Sequence, residues 1–320
     1  LEDFLDGPIK GYKADRNRPD LDTSTSGLSP HLRFGEIGPL QIWRAVHAGM
    51  EAGTVPETDG HNFLSEIGWR EFSHTLLFYN PALASENYNA AFDFMPWRTD
   101  TAAFKAWTKG QTGYPIVDAG MRQLWREGTM HNRVRMIAAS FLIKDLMIDW
   151  RRGEKWFRDT LVDADAASNP ANWQWVAGAG ADAAPFFRVF NPELQADKFD
   201  KTGRYVREWA PEYADDTDGE PAEPMVGLKQ TRRRALDAFD VQHAAGNQVS
   251  RMDAVVKTET ELLEFGVIGQ PQFISDTMTD GLPLVIVHHR KQATTYGSTQ
   301  QQSCCNKQRG PRFCFGSLHT

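Results

Sequence analysis

The run Asp163-Ala-Asp-Ala-Ala-Ser-Asn-Pro-Ala-Asn-Trp173-Gln-Trp175 continues to Asp182-Ala-Ala-Pro-Phe-Phe-Arg188-Val-Phe-Asn-Pro192 and limits the fold more than any other stretch. Two carboxylates, three amides and two indoles fall within its first thirteen residues. The run is apolar enough to be buried, and a buried acid without a partner takes up a proton rather than stay charged. Its acids therefore require specific partners. Asn191-Pro192 closes the segment as a turn, with Gly178 and Gly180 as further breaks. The plain reading is a capped loop between helices. Acids this close to indoles also suit a planar heterocycle held between them.

Composition bounds the rest. A chain of 320 residues and 36.1 kDa makes one large domain or two small ones, and 41% hydrophobic residues supply a core. No apolar run approaches the roughly 20 residues of a membrane span. The start, Leu1-Glu-Asp-Phe, lacks the basic and apolar regions of a secretory leader. We therefore expect a soluble, cytoplasmic chain, and a start without Met is expected of a piece of a longer protein. Net charge −7 argues against broad nucleic-acid affinity but leaves room for a local basic face. All three cysteines lie near the C-terminus, so no disulfide framework is expected in the first 300 residues. The ten tryptophans all fall between Trp43 and Trp209. The two distributions place a boundary near Asp240, after which the chain turns to Gln, Thr, Ser and Gly. Cys304-Cys305 with His288-His289 matches no structural zinc spacing, and no metal is expected.

Along the chain, Leu1–Asp22 starts with a short helical pattern and becomes rich in Arg and Asp around Tyr12. Thr25-Ser26-Gly27-Leu28-Ser29-Pro30 reads as a helix N-terminus, either simply capped or attracting an anion. Gly49–Gly60 reads as a loop, and the helix after it sets Glu66, Trp69 and Arg70 on one face. An intrahelical ion pair beside a core indole is the plain account of that face. Asn80–Asp100 is irregular and carries Pro96-Trp97-Arg98. Gly113-Tyr114-Pro115 opens a helix that Gly128 ends, and Thr129 is placed to cap the next. In that next helix Val134, Ile137, Ala138, Phe141 and Leu142 have the spacing of a buried stripe. Asn132, Arg135 and Met136 adjoin it, a combination expected of a cavity wall. Lys144, Arg151, Arg152, Lys155 and Arg158 around Trp150 and Trp156 have the look of a solvated helix face.

The spelling DxDxASNPANWQWVAGxGxDAAPFFRVFNP resembles the flavin-binding core of the photolyase/cryptochrome family. TS-x-LSP at Thr25–Pro30 is similar to the element that embraces the flavin diphosphate there, and the likeness extends from Leu1 to about Phe239. The resemblance implies an all-α, helical FAD-binding domain over residues 1–239, with 240–320 an unrelated and poorly ordered extension. Its pattern is that of a class I cyclobutane pyrimidine dimer photolyase, a lyase acting as a monomer on UV-damaged DNA. No alternating strand–helix pattern precedes Leu1, so the N-terminal domain that holds an antenna chromophore is not expected in this chain. A (6-4) photolyase and a cryptochrome-type blue-light photoreceptor are the alternatives.

Site residues follow from the same resemblance. Reduced FAD would be held by Tyr12, Thr25, Ser26, Gly27, Leu28, Ser29, Arg70, Asn132, Arg135, Asp163, Asp165 and Asn169. Asp163 is expected to pair with Arg135, Asp165 to accept from flavin N3–H, and Asn169 to face N5. The flipped dimer would lie between Trp69 and Trp175, with Glu66, Asn132 and Met136 on its edges. Arg133 and Arg188 would hold flanking phosphates. Trp173, Trp150 and Trp97 match the family's electron path from flavin to surface. In the (6-4) branch the positions of Asn132 and Met136 would both be histidine, and His131 is expected to pack or cap instead.

Overall fold

A computed structural model describes residues 1–183, 187–214 and 220–244. Helices dominate, and among the described residues the β-type pairing is a single parallel bridge between Arg98 and Ile148. In chain order they are α1 Glu2–Asp6, α2 Tyr12–Asp15, α3 Ser29–Phe34, α4 Pro39–Glu51, α5 Glu57–Tyr79 and α6 Thr101–Thr108. Then come α7 Pro115–Glu127, α8 Asn132–Ser140, α9 Trp150–Thr160, α10 Ser168–Ala177, α11 Pro192–Phe199 and α12 Arg204–Trp209. A last helical stretch spans 228–244 and so runs past the boundary expected near Asp240. The cysteines and the His288-His289 pair lie outside the described residues.

Local chemistry explains the helix ends, with three departures from the sequence reading. Pro115 opens α7, and Gly128 ends it in the left-handed conformation at φ 69°. His131, not Thr129, caps α8: its Nδ1 accepts from the Arg133 backbone N–H at 3.2 Å. The expected loop 49–60 shrinks to residues 52–56, because Glu57 and Asp59 favour a helix first turn and start α5 early. Asp59 also accepts from the backbone N–H groups of Gly11 and Lys13, fastening α2 to α5.

The third departure is the basic stretch around Trp150. Phe141–Asp145 is a π-helical turn continuing α8, and Lys144, Asp145 and Trp150 are all buried. Arg151 and Arg152 lie over the rings of Trp150 and Phe104. Only Lys155 and Arg158 of the expected solvated face are exposed. Their aromatic neighbours cover the arginine stems, which a count of charges does not show.

Two large apolar clusters form most of the interior, beside a small third one of Met95, Met147, Ala235 and Ala238. The smaller of the two joins Phe4, Ile9, Tyr12, Ile42, Val46, Phe63 and Ile67 from the first five helices. The larger is built on Trp107, Ile116, Met121, Val134, Ile137, Leu142, Trp150 and Trp173. Gly153 lets α9 approach α10, since a Cβ there would sit 2.2 Å from Trp173 Cη2 and 2.6 Å from Leu142 Cδ2. The expected outcome for Gly153→Ala is therefore overpacking that costs about 1–3 kcal/mol, read as a lower urea midpoint. An unchanged midpoint would show that the indole yields at no cost.

Candidate functional site

A cavity of about 610 Å³ opens where the two clusters meet, lined by Tyr12, Leu28 and Phe63 from one and Phe157, Leu161 and Trp173 from the other. Its centre of organisation is Asp163. Arg135 donates to both carboxylate oxygens, at 3.0 and 2.9 Å, and Ser29 Oγ donates to Oδ2 at 2.6 Å. Burial alone would push this carboxyl up; the Arg135 guanidinium and the Ser29 hydroxyl outweigh it and hold it below the usual carboxylate range. The expected Asp163–Arg135 pair is present. Ser29, expected on a phosphate, has its proton committed to Asp163.

Asp165 and Asn169 are each held by one end, which decides what the other end offers. Asp165 Oδ1 accepts from the backbone N–H groups of Ala167 and Ser168 at 2.8 and 2.6 Å, as a cap at the start of α10. Its second oxygen is left for a group in the cavity. Asn169 Nδ2 donates to Glu154 O and Glu154 Oε1, both at 3.0 Å. Both amide protons are used, so the side chain turns its oxygen, an acceptor, to the cavity. Burial raises the Glu154 carboxyl, against the pull of Arg158 and Asn169.

The opposite wall comes from α2, the segment before α3, and α5. Tyr12 is buried edge-on against Phe63, and burial pushes its hydroxyl up to about 12. Thr25, Ser26, Leu28 and Ser29 line the cavity, while Gly27 shapes their turn at φ 65°. Glu66 pairs with Arg16 of the segment after α2. Arg70, one turn on, pairs with Glu71, so the expected intrahelical pair is replaced by a contact across the chain. Arg16 could not be found from local spacing, since its partner lies fifty residues away.

All five residues expected to meet a lesion, Glu66, Trp69, Asn132, Met136 and Trp175, line this one cavity. Trp69 is exposed at its mouth, edge-on to Phe72 at 5.8 Å. Arg133 also lines the cavity, but Asn17 Oδ1 accepts from its Nε and Nη2, and its guanidinium lies over the Phe199 ring. Arg188 is exposed and borders a smaller neighbouring cavity with Trp175 and Lys144. Of the three expected relay indoles, Trp173 lines the main cavity and meets Phe157 and Trp107 edge-on. Trp150 Nε1 donates to Asn87 Oδ1, and Trp97 packs half-buried against the larger cluster.

A space of this size, lined by aromatic rings, hydroxyls and fixed acceptors, fits a dinucleotide carrying a flat ring. The comparisons with known proteins agree. Residues 63–241 match the family described as the FAD binding domain of DNA photolyase, and the chain belongs to that family. It is 62% identical over 212 residues to the deoxyribodipyrimidine photo-lyase of Agrobacterium fabrum, covering 66% of this chain and 44% of that protein. Among solved structures, a class III photolyase from Agrobacterium tumefaciens matches with a TM-score of 0.71 and 52% identity, over 76% of this chain and 55% of that one. A cryptochrome from Synechocystis matches with a TM-score of 0.66 and 32% identity, over 72% and 52%. The chain spans about half the length of the curated relatives it matches. FAD is thus its cofactor. The class I expectation finds no support, since a solved photolyase that it matches is named class III, and the lesion-pocket residues bear only on which lesion is repaired. No described helix is long and apolar enough to cross a membrane.

His131 offers a test of this wall. Burial first, then the charges of Arg135, Arg133 and Arg16, push its imidazole down to about 4. The folded state therefore holds a neutral ring where the unfolded chain would bind a proton. Its stabilising effect is complete above about pH 6.5 and is lost as pH falls toward 4, about 3 kcal/mol in all. His131→Asn keeps a capping acceptor and removes the titration. Urea unfolding from pH 7 to 4.5 should show a shallower loss of stability in the variant; identical profiles would clear His131 of the effect.

Proposed function

We propose that this chain carries light-driven repair of cyclobutane pyrimidine dimers in DNA, acting as a monomer. The observation that supports it best is the placing of Glu66, Trp69, Asn132, Met136 and Trp175 on the cavity that Asp163, Asp165 and Asn169 also line. When bound, reduced FAD excited by blue light would supply the electron that no side chain can. Asp165 and Asn169 would hold it by their free acceptor oxygens, with Thr25 and Ser26 at the phosphates.

The remaining work falls to side chains. A dimer must leave the stack to enter, at a cost of a few kcal/mol that is smaller for a distorted lesion. Trp69 and Trp175 offer apolar faces to receive it. Glu66, kept in place by Arg16, and the Asn132 amide provide polar contacts, while Met136 fills the space beside them. Arg188 is exposed and could take a flanking phosphate, and Arg133 has one guanidinium nitrogen not used by Asn17 for the same task. Trp97, Trp150 and Trp173 form the proposed path by which an electron reaches the cavity from the surface.

Repair of a (6-4) adduct needs a proton donor, for which histidine is suited. Asn132 and Met136 cannot act as one. His131 is neutral, and its Nδ1 is occupied by the Arg133 N–H. The second reading is a photoreceptor, favoured by the match to a solved cryptochrome.

Two outcomes are expected. With matched oligonucleotides under blue light, the FAD-loaded chain should split cyclobutane dimers back to pyrimidines and leave (6-4) products intact. Turnover of only the (6-4) substrate, or of neither, would overturn the proposal. Trp173→Phe should stop photoreduction of oxidised FAD, followed by absorption, while chemically reduced enzyme still repairs; normal photoreduction would remove Trp173 from the path.

A further inference from the structure

Lys144 is fully buried at 0% exposure, yet it makes no ion pair among the described residues. Its Nζ donates to the Ala177 carbonyl at 2.8 Å and lies 3.2 Å from the centroid of the Phe187 ring. Ala177 is the last residue of α10, so the amine occupies the end where carbonyls lack intrahelical partners and a donor is needed. Burial draws its pKa well down. A lysine so placed is a poor stabiliser, since an apolar side chain of equal length would pack without the desolvation cost.

Its two contacts point to a different role. Ala177 lies two residues after Trp175, and Phe187 immediately precedes Arg188. Lys144, Trp175 and Arg188 border the same small cavity of about 40 Å³. The segment beyond Phe187 is also fixed to α8, because the Phe190 N–H donates to Ser140 Oγ at 3.3 Å. One buried lysine thus joins the end of the helix that carries the indole wall to the segment that carries the guanidinium. Gly178 allows the approach: it ends α10 at φ 98°, and a Cβ there would meet Phe187 at 3.3 Å.

We propose that Lys144 is a positioning residue for lesion recognition, setting the distance between Trp175 and Arg188 so that both engage one damaged site. This rests on the repair reading above. It separates lesion affinity from cofactor binding, because neither Asp163, Asp165 nor Asn169 touches the lysine.

The test compares the FAD-loaded wild-type chain with Lys144→Met and Lys144→Arg. The readouts are flavin content, thermal midpoint, repair rate at saturating substrate, and Kd for oligonucleotides with and without one cyclobutane dimer. Lys144→Met should keep flavin and thermal midpoint while its preference for damaged DNA falls about tenfold, the loss of one buried hydrogen bond. Saturated repair should stay near wild type, and Lys144→Arg should recover most of the preference. In the Met background, Arg188→Ala should weaken binding less than it does in the wild type. An unchanged preference in Lys144→Met overturns the inference, as does loss of flavin in both variants. A wild-type chain with no preference for dimer DNA overturns the repair reading and this inference with it.

Discussion

The Asp163 carboxylate holds three distant parts of the chain at one point: the start of α3 through Ser29, the body of α8 through Arg135, and its own loop before α10. Ser29 and Asp163 are 134 residues apart in sequence, so this contact closes the cavity rather than merely decorating it. A buried ion pair adds little net stability, since desolvation offsets most of the attraction. What it adds is uniqueness of arrangement. Remove one partner, and a buried charge is left uncompensated at about 3–5 kcal/mol. Arg135 extends the link by donating from Nε to the Met130 carbonyl, which fixes the turn from which α8 departs. Asn132 and Met136 take their place on the cavity wall from that departure.

Around this point, polar side chains facing the cavity are held by a second partner behind them. Glu154 decides which end of the Asn169 amide is offered, the Ala167 and Ser168 amides use one oxygen of Asp165, and Arg16 holds Glu66. A side chain fixed from behind loses little further entropy when it meets a ligand, so more of the contact energy reaches binding. The aromatic walls are treated less strictly. Trp69 stands half-exposed with Phe72 at its edge, which leaves a ring face open to solvent.

Much of this was legible in the sequence where chemistry acts within a turn of helix. Gly128 as a helix end, the buried stripe of α8, and the shared face of Asn132 and Met136 all depend on neighbours a few residues away. Asn191-Pro192, read as a closing turn, instead caps and opens α11, with the Asn191 side chain accepting from the Leu194 N–H. The Asp163–Arg135 pair was legible only through a family spelling, because nothing local links residues 28 apart. Arg16, Glu154 and Asn17 were missed for the same reason: each has an ordinary local setting and an unusual distant partner. The basic stretch around Trp150 misled because charge suggested solvent. In the folded chain, ring faces and a helix terminus take the place of water around Lys144, Arg151 and Arg152.

The π-helical turn at Phe141–Asp145 has a consequence for how this domain can vary. Its Leu146 N–H reaches back five residues to the Phe141 carbonyl, so one residue more than a regular turn is wound into the helix. Loss of a single codon here would restore regular winding and rotate everything downstream by about 100°. Lys144 would swing out from beneath α10, and Met147, which already sits at φ 56°, would no longer present its carbonyl to Arg98. The segment can therefore accept many replacements of like size but no change of length, the reverse of what holds for an ordinary connection between helices.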